Sequence, residues 1–226
     1  MTQPKKSAYH HGNLKAALID AGFKALETGS LEELSLRALA KAVGVTPTAA
    51  YNHFADKMAL MVEMKTEGFQ RFDAALHESL SAADPASPEG KVRAMARAYL
   101  HFAFTHPGIF NLIFFWTPEP EYFTNDLMQA AGCAERHLQN TMSEMFAQEG
   151  FELTEYQQAV ASFSAWSLVH GVTLLLRTGV VDAVTHCGNW PTQFSSANRE
   201  EQARILEHVF TIELEGLKHT LSKFQP

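Results

Sequence analysis

Apolar positions along this chain recur at helical spacing. Leu14, Ala17, Leu18, Ala21, Phe23, Ala25 and Leu26 form one broad face within residues 12–28, and Gly29 with Ser30 closes it. Leu36, Leu39, Ala40 and Val43 predict a short second helix, with Ser35 at its N-cap and Gly44 at a left-handed C-terminal stop. Thr46 and Pro47 then open a third helix, because proline lacks the amide hydrogen that a first helical turn leaves unpaired. Asp56 caps a long fourth helix that runs through Leu60, Met64, Phe72 and Leu76 to about Ala82.

The loop ADPASP at 83–88 precedes a fifth helix ending near Thr105, and His106-Pro107-Gly108 separates it from a short apolar segment, Ile109 to Trp116. After TPEPEY, a helix is expected over Phe123 to Gln148. Thr154 with Gln157 then forms a capping box for one reaching about Thr178. Residues 180–198 have no clear period and read as an ordered loop with a short helical turn, before a last helix from Arg199 to about Lys223. No strand pattern or internal repeat stands out, so the class is all-α, with about nine helices.

Composition narrows the setting. With 226 residues and 46% apolar content, the chain can bury a substantial core. No run of about 18 apolar residues stands out as a bilayer span, and MTQPKKSAYHHG lacks a signal-peptide centre, so a cytoplasmic protein without a membrane partner is expected. Cys133 and Cys187 have no CxxC spacing and imply neither a disulfide framework nor a metal site; no cofactor is expected. Net charge is -7, yet residues 1–60 carry seven Lys/Arg against five Asp/Glu, a balance of +2 that leaves -9 on the remainder. A mildly basic head on an acidic body is compatible with DNA binding confined to the head.

The segment SLRALAKAVGVTPTAAYNHFADK, Ser35 to Lys57, reads as a helix-turn-helix. If its second helix enters the major groove, Thr48, Ala49 and Asn52 are best placed to face base edges. Asparagine can pair with adenine in a bidentate manner, and alanine or the threonine methyl can pack on a thymine methyl. Thr46, Tyr51, His53 and Lys57 read as phosphate contacts, which orient a protein without reading sequence, and Lys57 lies in a first helical turn whose amides also attract phosphate. Pro47, Ser35 and Arg37 complete the candidate DNA-binding set. Phe54 is expected in the core, and Lys5, Lys6, His10 and His11 form either a phosphate-reaching arm or a solvated tail.

GVTPTAAYNHFADKMAL resembles the helix-turn-helix and following helix of the TetR/AcrR family of bacterial transcriptional regulators, a likeness covering roughly Gly12 to Leu60. Ala50 stands where a larger aliphatic is commoner, and Asn52 where a basic residue is common; both leave the fold intact and bear on which operator is read. The resemblance implies a DNA-binding domain over residues 1–55 and a helical-bundle ligand-binding and dimerisation domain over 56–226. It also implies a homodimer paired through its last two helices, which would present two reading heads to a palindromic double-stranded operator.

Residues 99–116, YLHFAFTHPGIFNLIFFW, concentrate Phe102, Phe104, Phe110, Phe114, Phe115 and Trp116, more aromatic area than an ordinary helix needs. Trp166, His170 and Gly171 form a W-x3-HG group that resembles the Trp-His-Gly signature of one C-terminal domain type in the same family. A Trp and a His one turn apart also suit plain core packing. The aromatic clustering leads to the expectation that Phe102, Phe115, Trp116, Trp166 and His170 line a pocket for a small-molecule effector.

The leading expectation is therefore a ligand-responsive transcriptional repressor released by its effector. A helical metal-dependent or hydrolytic enzyme is the alternative, prompted by eleven histidines. It finds no HExxH, no repeated Glu-x-x-His pair, no phosphate loop and no GxSxG elbow, so no catalytic residue is assigned.

Overall fold

The computed structural model describes residues 14–195, 199–221 and 223. Lys5, Lys6, His10 and His11, the expected helix start at Gly12, and Ser222 lie outside them. The helices are α1 (Leu14–Leu26), α2 (Leu36–Val43), α3 (Pro47–Tyr51), α4 (Lys57–Ala82), α5 (Pro88–Thr105), α6 (Pro107–Phe115), α7 (Asn125–Gln148), α8 (Glu155–Arg177), α9 (Val180–His186) and α10 (Arg199–Leu221). Two 3-10 turns, Pro120–Tyr122 and Thr192–Phe194, complete an all-α fold without strands among the described residues. Within the expected loop at 180–198 the short helical turn is the seven-residue α9, followed by the second 3-10 turn, so the described part, 180–195, is more helical than expected: a helix this short, with Val181 as its buried residue, shows no period, and 196–198 lie outside the described residues.

The chain forms two compact units, one comprising residues up to Gly68 with Gly108–Leu127, the other Phe69–Pro107 with the residues from Met128 onward. In the first, α1 packs against α2 and α3. Leu18, Phe23, Leu39, Ala40 and Leu60 fill its centre, joined by Phe54, as its apolar ring predicts. Gly44 has φ +83°, and the amides of Gly44 and Val45 close α2 onto the carbonyls of Lys41 and Ala40. Ser35 occupies the N-cap in extended conformation but makes no side-chain cap. Its carbonyl instead accepts the Leu39 amide, so the backbone alone starts the helix.

In the second unit α8 packs on both α5 and α10. Thr154 and Gln157 form the expected capping box at its start. Arg93 donates to Glu89 at 2.7 Å and to Glu207 at 3.2 Å, and Lys218 reaches Glu89 at 2.9 Å, tying α5 to α10. The hydrogen bonds from Lys218 and Arg93 hold the Glu89 carboxyl below its ordinary range. By length and composition α8 is apolar enough to cross a membrane, which the sequence reading did not anticipate. In the fold one side of it packs as described, and its outer side carries Tyr156, Phe163 and Trp166.

Candidate nucleic-acid interface

Thr46 and Pro47 set α3 as their chemistry predicts: the Thr46 hydroxyl accepts the Ala49 amide at 3.3 Å and Pro47 stands in the first turn. Ala50 is fully buried, which accounts for a small side chain where this turn meets the core. The opposite side of the turn faces outward. Thr46, Pro47, Thr48, Tyr51, Asn52 and His53 are exposed, and Ala49 is half-buried. Asn52 continues the helical turn, its amide bonded to the Thr48 carbonyl at 3.1 Å, so Thr48 and Asn52 stand one turn apart on the outer surface. Arg37 is exposed on α2, and Ser35 is half-buried at its start.

Lys57 is half-buried and donates one of its three N–H groups to the Glu32 carbonyl at 2.8 Å, anchoring the start of α4 to the loop before α2. Asp56 caps α4 through the Ala59 amide at 2.8 Å, and its other oxygen accepts the Tyr122 hydroxyl at 2.9 Å. These bonds lower the Asp56 carboxyl and raise the Tyr122 hydroxyl. The protein thus supplies its own anion at this helix start, and Tyr122 pins the turn after α6 to the start of α4. Sequence reasoning missed that contact because its partners stand 66 residues apart.

Lys65 was missed for the same reason. It is 8% exposed, and its ammonium donates to the carbonyls of Leu112 at 3.2 Å, Ile113 at 2.7 Å and Trp116. These lie at or just beyond the end of α6, where carbonyls lack intrahelical partners. Burial pulls Lys65 down to about 8. Trp116 is half-buried with its ring 5.8 Å from this ammonium, and Phe115 is 55% exposed; both belong to the first unit.

Phe102, Trp166 and His170 belong to the second unit. Phe102 is buried, in edge contact with Phe72 at 5.2 Å. His170 is half-buried, and its Nδ1 lies 2.6 Å from the hydroxyl of Tyr99, which also meets Phe72 edge-on at 5.2 Å. Trp166, 39% exposed, hydrogen-bonds the same hydroxyl. Burial raises Tyr99 and lowers His170, so the imidazole is biased to its neutral form. Tyr99 therefore joins the Trp-His pair; it went unnoticed because a search for apolar aromatic area passes over tyrosine. An open groove of about 620 Å³ lies elsewhere in this unit, along Ser79, Ser87, Gly90, Ala94 and His101, and contains none of these aromatics.

Comparison with known proteins places both units. Residues 18–64 match the family model for bacterial regulatory proteins of the tetR family, and residues 92–187 match a tetracyclin repressor-like C-terminal domain, a span that contains Trp166, His170 and Gly171. An uncharacterized HTH-type transcriptional regulator of Haemophilus influenzae is 22% identical over 196 residues, covering 85% of this chain and 84% of that protein. Among solved structures, a protein of unknown function from Rhodococcus sp. RHA1 superimposes with a TM-score of 0.77 at 23% identity, covering 94% of this chain and all of that one (100%). The TetR family transcriptional regulator PfmR from Thermus thermophilus gives 0.58 at 18% identity, covering 88% of this chain and 97% of that one.

Proposed function

The chain belongs to the tetR family of bacterial regulatory proteins, a family of DNA-binding transcription regulators, and we propose that it is a cytoplasmic repressor that binds a palindromic operator as a homodimer and releases it when a small-molecule effector binds. The outward surface of the α3 turn carries this reading: Thr48 and Asn52 stand exposed, one turn apart, over the fully buried Ala50. In the complex, Thr48, Ala49 and Asn52 face base edges, and Thr46, Tyr51, His53, Lys57 and Arg37 hold phosphates. Lys57 keeps N–H donors beyond the one given to Glu32, so it can hold phosphate without releasing its anchor. No enzymatic role is proposed.

Lys57→Ala is expected to weaken binding to every DNA sequence and to reduce the salt slope by about 0.9 for each phosphate it no longer neutralises. Asn52→Ala is expected to relax preference at one operator position at a cost of about 1–3 kcal/mol. Selection of bound sequences from random DNA, followed by salt-titrated binding, checks both; a Lys57→Ala slope equal to wild type contradicts the phosphate assignment.

Pairing through α8 and α10 is supported by apolar side chains left in water on those helices, Phe163 at 66% and Ile212 at 74% exposed. Phe163→Glu and Ile212→Glu are each expected to yield monomers in sedimentation velocity and to lose most operator affinity, since one head alone holds half the site. Of the five residues expected to line the effector site, we assign Phe102, Trp166 and His170 to it, with Tyr99 added, and leave out Phe115 and Trp116, which belong to the first unit. Its ligand acts by preferring the DNA-incompetent state, through its difference in affinity for the two states.

A further inference from the structure

Of the 13 glycines in the chain, all but Gly12 fall among the described residues, and most meet either a special backbone or a close neighbour within the single chain. Gly44, Gly150, Gly179 and Gly188 have φ between +73° and +83°, a conformation other residues resist. At Gly22, Gly29, Gly68, Gly90 and Gly108 a Cβ would come within 2.6–2.9 Å of another atom, and at Gly132 it would touch the Arg136 side chain at 3.1 Å. Gly171 and Gly216 have neither reason. Each lies inside a helix without a positive φ, and a Cβ there meets nothing within 4 Å among the described residues. Glycine is the poorest helix former after proline, so these two weaken their helices without serving a contact in the single chain.

The helices concerned are α8 and α10. Gly171 is half-buried and Gly216 exposed. On α8, Phe163, Ser167, Gly171 and Leu175 follow at four-residue steps and form one ridge, large at its ends and small in its middle, with Phe163 and Leu175 66% and 45% exposed. On α10, Ile212 and Gly216 make the same step, from a side chain 74% exposed to none. The Ser164 hydroxyl donates to Glu213, so Phe163 and Ile212 each adjoin one end of a bond that ties the two helices together. Only 33% of the most apolar 18-residue stretch of α8 is buried, and between Glu155 and Arg177 the helix has no Asp, Glu, Lys or Arg. Copies of a chain with net charge -7 repel one another, and an uncharged ridge is where that repulsion is least.

We propose that Gly171 and Gly216 are notches for a second copy of this chain, which let its α8 and α10 approach closely and receive the large apolar side chains that the same two helices present. A surface that carries both the protruding side chains and the notches is self-complementary, as a twofold contact requires. The inference rests on the homodimer proposed above and names the residues that set how closely its helices meet.

Gly171→Leu and Gly216→Leu test it by sign. Leucine favours helix and adds apolar surface, and the single chain has room for it, so a face that needs only apolar area would associate as tightly or more tightly. A filled notch does the opposite. Each leucine variant is expected to weaken the full-length dimer about tenfold or more, and Gly171→Ala and Gly216→Ala about threefold, with helix content by circular dichroism unchanged. Were a leucine variant to lose helix content, the alanine pair carries the test. Fluorescence-detected sedimentation velocity gives the dissociation constants; for a dimer too tight to dissociate at nanomolar concentration, exchange between two labelled pools is expected to speed up by the same factors. Folded variants that associate as tightly as wild type overturn the notches and leave the dimer standing, with Phe163→Glu still separating it. A wild type that is monomeric at micromolar concentration overturns both readings, and its flotation with phosphatidylglycerol vesicles would give the face to lipid.

Discussion

Lys65→Met is expected to destabilise the DNA-reading unit by about 3 kcal/mol, and to remove a rise in stability above pH 8 that the wild type shows. Methionine fills most of the lysine's volume, so packing is not the main loss. Three carbonyls at the end of α6 lose their donor, and two of them belong to Leu112 and Ile113, which are 0% and 2% exposed, so water does not readily replace it. Pro118 follows closely and has no N–H to offer. Removing a buried cation relieves its desolvation, but the orphaned carbonyls outweigh that gain, as they do when one member of a buried pair is deleted.

The pH dependence has a definite sign. Lys65 in the folded protein releases its proton near 8, while the unfolded lysine keeps it until about 10.5. Between those values the unfolded state binds more protons, so stability rises with pH, by up to about 3 kcal/mol from this group. Urea denaturation of wild type and Lys65→Met at pH 7 and pH 10 measures both effects. A wild-type-minus-mutant stability difference that stayed flat between the two would mean that Lys65 titrates as an ordinary exposed lysine.

What could be read in advance follows the range of each interaction. Thr46, Asp56 and Thr154 cap their helices through amides three residues on, so their chemistry was visible in the sequence; Ser35, of the same type, leaves its cap to the backbone. Phe54 declared itself as core by its apolar ring at the end of the third helix, where it can lock that helix against the first. Lys65 did not, since a lysine in an amphipathic helix reads as solvated and its carbonyl partners lie 47–51 residues downstream. The Tyr99–His170 pair spans 71 residues, and the link from Tyr122 to Asp56 spans 66. Pairings of this kind depend on how helices pack, which periodicity does not encode. The outer surface of α3 was legible because a short helix with one buried alanine leaves little choice of which side faces out.

Gly108→Ala, finally, is expected to cost the first unit about 2–3 kcal/mol and to weaken operator binding, although it adds only a methyl group and raises helix propensity. A Cβ at Gly108 would stand 2.6 Å from the Leu26 carbonyl oxygen and 2.9 Å from its carbon, so the obstacle is backbone. Either the first turn of α6 moves or the last turn of α1 does. Leu26 is itself a core residue of the first unit, 6% exposed, and α1 supports both α2 and α3, so a shift there reaches α3. Gly132→Ala in α7 is the matched control: its new Cβ would meet only the end of the flexible Arg136 side chain, at 3.1 Å. That variant is expected to be neutral or up to about 1 kcal/mol more stable, from helix propensity and reduced unfolded-state freedom. Thermal denaturation and operator titration of both variants decide the point. Equal melting temperatures for the two would show that α1 and α6 slide apart without cost, and the contact would then have no part in holding α3.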